Sequence, residues 1–540
     1  MEPWIVGSNP SNRYPLWTRA NVGEVFPDPV APLTFTTFME EQTEGAWRDA
    51  LVQMGAFTHD EFAPGEMETL GVFGGYCYLN ASVTRILGER GPGLSAQMMD
   101  DLFFGAQPGI PPYEVAAGDQ NEERTAAIGA VFQWAMTTDR LDIPAEAATL
   151  VDSIRAARPN LEAMTNQELW EYARKLYTTY LRRFFGEHIF ITFISTVPVG
   201  ALTQICAAVG RPEDAMRLIS GVGDVESAAP SMAMWKLGRM VASDPSLTAA
   251  FDEGIDGLAA RLKALGPAGS AFNAQFEQFI KDYGSRGPNE WEIRSNTWET
   301  RPELALAAID RMRLAPAPPG GGGPRFGDAW RRTVPGRLPP PRRRERPDQQ
   351  RSSSEARDGL PWARGTGLWL EGGEMDAWLK DPRPLRAEIA RRRDLMAAYA
   401  NLQEPFVFWG TQPDVSTWPA RGATAIEPVK AGDVLTGFPG CPGQVTGVAR
   451  VILDPIDPTA LEPGDILVAP ITDPSWTPLF VSAGGVIVDV GAAQSHAMIV
   501  SRELGIPCVP SVTNGTRRIP NGATVTVNGD AGTVTIVALP

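Results

Sequence analysis

The chain has 540 residues, of which 43% are hydrophobic and 21% charged, as in ordinary soluble proteins with several domains. Its net charge of −16 argues against binding nucleic acid or an anionic membrane over the whole surface. Its four cysteines have no metal-ligand spacing, which indicates free thiols in a reducing compartment.

Residues 1–314 are predicted to form a large, mainly helical domain. Apolar residues recur at three- and four-residue spacing over Leu141–Leu181 and Pro245–Tyr283. Thr165 and Glu168 have the spacing of a capping box at the start of one helix. We infer a set of helices that pack through their apolar faces.

The longest apolar stretch of the chain, Ile189–Val209, lies within this domain. Its length alone would allow a membrane span, but it contains Pro198, and a buried helix pair broken at this proline is the preferred interpretation. The first residues show no basic segment followed by an apolar run, so no signal peptide is predicted. We therefore expect a cytoplasmic protein.

Residues 315–358 interrupt the helical pattern. Proline, glycine, serine and arginine dominate, and apolar residues are too few to build a core. The segment is predicted to be a linker or a disordered loop, although a shifted reading frame would give a similar composition. Residues 359–431 form a predicted helical connector, with helical spacing over Pro384–Leu402.

Residues 432–540 are predicted to form a compact β/β/α domain, so the chain is a multidomain protein of the α plus α/β class. Strands are predicted at Val445–Leu453, Ile466–Ala469, Val486–Val490, 524–528 and 533–537. The third is a continuous apolar run, as expected for a strand buried on both faces. The last two alternate around a glycine-containing turn, which predicts a hairpin.

A helix after the third of these strands carries the residue best suited to chemistry. Ser495 is a predicted N-cap and Gly505 a predicted left-handed C-cap, which places His496 at the helix N-terminus. The free N–H groups and the helix dipole there favour an anion and disfavour imidazolium. A neutral imidazole can attack phosphorus. A histidine in this position is also often a surface or capping residue, so position alone leaves both interpretations open.

The segment Gln494–Pro507 resembles the core of the phosphohistidine domain of phosphoenolpyruvate-utilising enzymes, among them phosphoenolpyruvate synthase, pyruvate phosphate dikinase, rifampicin phosphotransferase and phenylphosphate synthase. The resemblance runs in register over residues 467–534. It implies a swivelling domain in which His496 accepts a phosphoryl group. Two positions next to His496 depart from the common pattern: Gln494 replaces a threonine and Met498 an alanine.

The resemblance also suggests residues that orient the phosphate. These candidates are Ser495, Gln494, Arg502 and Thr477. Thr477 is equally interpretable as a helix cap. No metal site is predicted, because none of the three histidines has a partner at metal-ligand spacing.

Two N-terminal motifs, Trp17–Glu24 and Tyr283–Glu290, are similar to the acceptor-binding region of rifampicin phosphotransferase-like proteins. The resemblance makes three residues candidates for the acceptor site: Arg286, Glu290 and Arg19. Ser285 stands where these relatives often have a histidine, so no acid–base role is carried over to that position. Arg286 and Glu290 are equally interpretable as a structural ion pair.

No segment of the sequence resembles the ATP-grasp unit of these relatives. We therefore expect no cofactor on this chain, and Mg-ATP on an ATP-grasp subunit or domain that acts in trans. The resemblance implies a dikinase-type phosphotransferase, in which His496 passes a phosphoryl group to a hydroxyl-bearing small molecule, without nucleic acid or membrane partners. The alternatives are a noncatalytic or regulatory relative that docks a kinase through the His domain, and a degraded relative.

Overall fold

The computed structural model describes residues 4, 6–105, 107, 109–138, 142–211, 214–219, 229–314, 367–423, 426–455 and 461–540. The predicted linker at 315–358 lies outside these described residues. Helices and two β-sheets together form the described part of the chain. The mixed helical and sheet content predicted from the sequence is therefore confirmed, while the division into four domains stays a prediction.

The N-terminal region contains a four-stranded antiparallel sheet that the sequence patterns did not reveal. Its strands are β1 (Leu16–Thr18), β2 (Leu70–Phe73), β3 (Tyr76–Asn80) and β4 (Val407–Trp409), in the order β2-β3-β1-β4. Strand β4 comes from the predicted helical connector and pairs with β1. Strands β1 to β3 are buried along their whole length, so they lack the alternation by which a half-exposed strand is recognised.

Helices make up most of the rest of the chain before the C-terminal domain. They are α1 (Val22–Val25), α2 (Glu44–Gln53), α3 (Ala81–Arg90), α4 (Ala96–Phe103), α5 (Glu122–Thr137), α6 (Asp142–Ala156), α7 (Asn166–Leu176), α8 (Arg182–Ala208), α9 (Asp214–Ile219), α10 (Ala229–Ser243), α11 (Pro245–Asp252), α12 (Leu258–Ala264), α13 (Pro267–Tyr283), α14 (Pro302–Leu314), α15 (Met375–Lys380) and α16 (Arg386–Ala400). Two π-helical segments, Thr34–Thr43 and Tyr177–Leu181, precede α2 and α8. The capping box predicted at Thr165 and Glu168 is confirmed at the start of α7.

The long helix α8 corrects the prediction of a helix pair broken at Pro198. That prediction is wrong, because α8 continues through the proline. A proline removes one backbone donor, and packing of the flanking turns can hold the helix together despite this loss. Here the first half of α8 packs against α2 and buries Phe185 and Phe190, whereas Ile205 in the second half is 61% exposed.

Helix α8 is also part of a stretch with the length and composition of a membrane span. Of the described residues, only Asn166–Ala208 meets this criterion. A core helix of a soluble protein can meet the same criterion of length and composition; here 28% of the apolar window is buried, and the buried residues of α8 lie mainly in its first half.

The C-terminal domain is built on a seven-stranded mixed sheet. Its strands are β5 (Val434–Thr436), β6 (Gln444–Val451), β7 (Ile466–Ala469), β8 (Gly485–Val488), β9 (Cys508–Val509), β10 (Thr524–Asn528) and β11 (Thr533–Ala538), in the order β5-β11-β10-β6-β7-β8-β9. Its helices are α17 (Thr477–Ser482), α18 (His496–Leu504) and α19 (Gly515–Arg518). All five predicted strands are observed, and the neighbours β6 to β9 run parallel.

Candidate active site

His496 lies where the parallel part of the C-terminal sheet ends. Strands β7 and β8 run parallel, so the segments that follow them leave the sheet at the same edge. The segment after β8 leads to Ser495, whose side chain caps α18 by accepting a hydrogen bond from the Met498 N–H. Gly505 ends the helix at a φ of 68°, which a residue with a Cβ adopts only with strain. His496 is therefore the first residue of α18, as predicted.

Two threonines hold the imidazole ring of His496 from opposite sides. The Thr472 hydroxyl, in the segment after β7, lies 3.0 Å from Nδ1, and the Thr477 hydroxyl lies 3.3 Å from Nε2. The Phe480 ring meets the imidazole edge to face at a centroid distance of 5.8 Å. Together these contacts fix the plane of the ring. Thr472 is not among the residues predicted from the sequence, although it follows a parallel strand, as the His496 segment does, and this position was a usable signal.

The electrostatic surroundings keep His496 uncharged. Burial, and secondarily the positive charge of Arg286, lower the pKa of the imidazole to about 3. Arg286 forms an ion pair with Glu290, with 2.9 Å between Nη1 and Oε1. The two residues therefore pair with each other, and the pair lies near His496. A neutral imidazole retains the lone pair that attack on phosphorus requires.

A carboxyl group from outside the C-terminal domain contacts the backbone of His496. The His496 N–H donates to Oε2 of Glu24, on α1, over 2.9 Å. Burial raises the pKa of Glu24 to about 8, with a smaller contribution from the nearby charge of Asp473, while the hydrogen bond from His496 opposes the shift. The sequence analysis did not select Glu24, although it ends the Trp17–Glu24 motif.

Further contacts hold the C-terminal domain against the rest of the chain near His496. The Asn289 N–H donates to Oδ2 of Asp473 over 3.3 Å, and Nε2 of Gln107 donates to the carbonyl of Asp489 over 2.8 Å. Helix α17 packs against α14 and α10. The His496 loop is therefore docked in a surface formed by the N-terminal and middle parts of the chain.

The structure brings some predicted site residues to His496 and leaves others away from it. Gln494 lines a small cavity beside the loop, together with Glu24. Arg502 lies near the far end of α18, about 9 Å along the axis by the helical rise, where it pairs with Glu503 over 3.4 Å. Arg502 is therefore not placed to orient a phosphate on His496 in this arrangement.

Arg19, a predicted acceptor-site residue, serves the structure around α1. Its buried guanidinium donates to the carbonyls of Phe26 and Cys77 and pairs with Glu404 over 3.2 Å. Arg19 thus fixes the chain on either side of the helix that presents Glu24. In the described part of the chain, no group of three or more His, Cys, Asp or Glu side chains could hold a metal ion.

Comparison with known families matches two regions of the chain. Residues 187–334 match the rifampicin phosphotransferase fourth domain, and residues 461–532 match the PEP-utilising enzyme mobile domain. The second match contains Thr472, Thr477 and His496, and the first contains Arg286 and Glu290. The matched regions therefore supply both the nucleophile and part of the surface on which it docks.

Individual relatives are similar over parts of their length. A rifampicin phosphotransferase of Streptomyces sviceus and the prodigiosin synthesizing transferase PigC of Serratia marcescens are each 39% identical over 150 residues, which cover 28% of this chain and 16% of the relative. A rifampicin phosphotransferase of a Streptomyces species is 29% identical over 333 residues, 54% of this chain and 37% of the relative. The chain thus spans well under half of the length of these relatives.

Proposed function

We propose that this chain, whose C-terminal domain is a mobile domain of the PEP-utilising enzymes, is a phosphotransferase component that carries a phosphoryl group on His496. One observation carries the proposal: a neutral imidazole, fixed between the Thr472 and Thr477 hydroxyls, begins helix α18. The positive end of the helix dipole favours an anion and can stabilise the phosphoryl group after transfer, while in the docked arrangement the His496 and Met498 N–H groups are bonded to Glu24 and Ser495.

The contacts of the ring suggest which nitrogen is the nucleophile. With Nδ1–H donating to Thr472, the shorter contact, the lone pair lies on Nε2. Nε2 attacks the phosphorus of the donor, and the bond to the leaving oxygen breaks. In the second half-reaction, an acceptor oxygen attacks phosphorus, the P–N bond breaks, and its electron pair returns to Nε2.

We further propose an ATP-grasp unit acting in trans as the donor, with Mg-ATP as its substrate, and a hydroxyl-bearing small molecule as the acceptor. Relatives named rifampicin phosphotransferase support an acceptor of this class. The match of residues 187–334 to a domain of those enzymes supports acceptor binding by the helical region. Tethering the carrier domain raises its local concentration at both sites. The proposed location is the cytoplasm.

The first test measures the intact mass of the full chain after incubation with Mg-ATP and lysate of the native host. We expect the wild type to gain one acid-labile phosphoryl group, and His496→Ala, in which the nucleophile is absent, to gain none. A wild type that stays unmodified, although folded and in an active lysate, would contradict the proposal and favour a noncatalytic relative that docks a kinase.

A further inference from the structure

The buried position of the Glu24 carboxyl group destabilises the fold, which suggests that the group has a function. Glu24 is 7% exposed, and among the described residues no cation offsets its charge. Its one stabilising contact of note is the His496 N–H. A buried carboxyl group without an ion pair destabilises a fold, and such groups concentrate at functional sites.

The charged and titratable groups around Glu24 come from three directions. Asp473 and His496 face it from the C-terminal domain. Arg286, paired with Glu290, lies near His496 rather than at Glu24. Arg19, on the N-terminal side, is occupied by Glu404 and backbone carbonyls. Glu24 therefore keeps a carboxyl group that is able to take up a proton.

A small cavity lies beside Glu24 and the His496 loop. Its lining combines small residues of the loop with side chains of the N-terminal region: Asn21, Glu24, Leu102, Gly491, Ala492 and Gln494 are among them. Glu24 thus borders both the helix end that suits a phosphoryl group and an open space next to it. The lining reaches the His496 loop at Ser495, so an acceptor hydroxyl in this space lies next to the Glu24 carboxyl group and to the residue that precedes His496.

We propose that Glu24 takes the proton of the acceptor hydroxyl as that hydroxyl attacks the phosphohistidine. The inference rests on the proposed function and adds a residue to it. The new P–O bond forms as the P–N bond breaks; the electron pair of the P–N bond goes to Nε2, and the hydroxyl proton goes to Oε1 or Oε2 of Glu24. General-base assistance of this kind requires a carboxyl group within hydrogen-bonding reach of the proton.

The proposed role of Glu24 depends on docking, because Glu24 and His496 lie in different parts of the chain. His496 belongs to the C-terminal domain and Glu24 to α1, so the two meet only when the carrier domain is docked on the N-terminal region. Away from this surface the phosphohistidine lacks the proton acceptor. Transfer to a hydroxyl is thereby restricted to the docked state, which protects the loaded carrier elsewhere.

The test loads His496 chemically and needs neither the natural donor nor the natural acceptor. The full chain is phosphorylated with phosphoramidate, desalted, and mixed at pH values from 6 to 9 with buffer alone or with rifampicin as the hydroxyl probe. The measured quantity is the rate at which the phosphoryl group leaves the protein. Glu24→Gln keeps the shape of the side chain, and Glu68→Gln, at a buried glutamate bonded to Ser11 and Ala63, is the matched control.

We expect Glu24→Gln to load fully and to discharge roughly a hundredfold more slowly than the wild type, with loss of the rise in rate as the carboxyl group deprotonates. Glu68→Gln should match the wild type. Equal rates for the wild type and Glu24→Gln at every pH, fast or slow, would overturn the role of Glu24 while leaving the carrier function intact. If the wild type does not load, the proposed function itself fails, and this inference with it.

Discussion

His496 has two different surroundings, one from its own domain and one from the rest of the chain. Thr472, Thr477 and Phe480 belong to the C-terminal domain and contact the ring. Glu24 and Arg286 belong to other parts of the chain and act on the backbone and the charge of the same residue. The first set lies within the domain that contains His496, whereas the second depends on contact between that domain and the rest of the chain.

Under the proposed function, this difference separates two requirements of a phosphoryl carrier. Contacts within the C-terminal domain fix the orientation of the nucleophile, so it is ready at either end of its movement. Contacts with the N-terminal region change the charge balance and the access to the phosphoryl group at one end only. In the proposed function, loading and discharge of His496 thus take place in different surroundings, while the contacts of the ring within its own domain stay the same.

The largest expected effect is the pH dependence of docking between the C-terminal domain and the rest of the chain. The pKa of Glu24 is about 8 in the docked state, against an ordinary value of 4.5, so the docked state binds the extra proton. The contribution of Glu24 to docking is therefore complete below about pH 4.5 and is lost as the pH rises to 8. Hydrogen exchange at residues 491–495 should increase between pH 6.5 and 8, beyond the intrinsic rise, by at most about tenfold per pH unit.

The control for this dependence is Glu24→Gln, which has no titrating group at the contact. Its exchange at residues 491–495 should follow the intrinsic pH dependence alone over the same range. A histidine of ordinary pKa is half protonated at pH 6.5 and neutral above about pH 7.5, and this contribution of His496 is the same in both proteins. An identical excess in both proteins would show that Glu24 does not couple docking to pH.

The sequence predicted the helix that carries His496 but not the residues that contact His496 from other segments. Ser495, His496 and Gly505 are encoded by contiguous cap and helix signals, and the structure has all three in the predicted positions. Thr472 and Glu24 are brought to His496 by sheet topology and by docking across the chain, and neither leaves a periodic signal. Local hydrogen bonds can be predicted from neighbouring residues, whereas contacts between distant segments depend on how those segments pack.

The same distinction applies to the fold. The buried run of β8 and the alternation of β10 and β11 identified strands in the C-terminal domain. In the N-terminal region, short strands buried on both faces carried no such pattern, and one of the two partners of β1, strand β4, lies almost 400 residues away. The continuity of α8 through Pro198 likewise depends on packing that the isolated sequence does not display.

A substitution at Gly105 is expected to weaken docking of the C-terminal domain without changing His496 or its contacts. Gly105 has a φ of 59°, and a Cβ there would lie 2.8 Å from the Gly491 carbonyl oxygen and 2.6 Å from the Ser511 hydroxyl. Gly105→Ala should therefore push the N-terminal region off the His496 loop and lower the docking equilibrium constant roughly tenfold, since overpacking costs about 1–3 kcal/mol. The measurement is hydrogen exchange at residues 491–495 at pH 6.5.

Gly93 is the matched control for backbone strain. It has a φ of 74°, and a Cβ there would meet nothing within 4 Å. Gly93→Ala thus carries the cost of a left-handed alanine, about 1–2 kcal/mol in folding stability, without a clash at the docking surface. Unchanged exchange in Gly105→Ala, or an equal rise in both variants, would mean that this contact does not hold the domain in place.

The smallest effect is expected inside the C-terminal domain, where the two threonines have different tasks. In the proposed tautomer Nδ1–H donates to Thr472, so Thr472→Val removes this acceptor and no longer favours the form with a lone pair on Nε2. Loading of His496 by phosphoramidate should slow roughly fivefold, the equivalent of one hydrogen bond of about 1 kcal/mol. Thr472→Ser, which keeps the hydroxyl, should restore the rate.

Thr477→Val tests the other ring nitrogen, because it removes the hydroxyl group that lies next to Nε2. Loading should then stay at the wild-type rate or rise, while the Thr472→Val defect persists in the double variant. If instead Thr477→Val slows loading and Thr472→Val does not, Nδ1 is the nucleophile and the roles of the two hydroxyls are exchanged. Because both threonines belong to the C-terminal domain, either pattern should be the same in Gly105→Ala, in which docking is weakened.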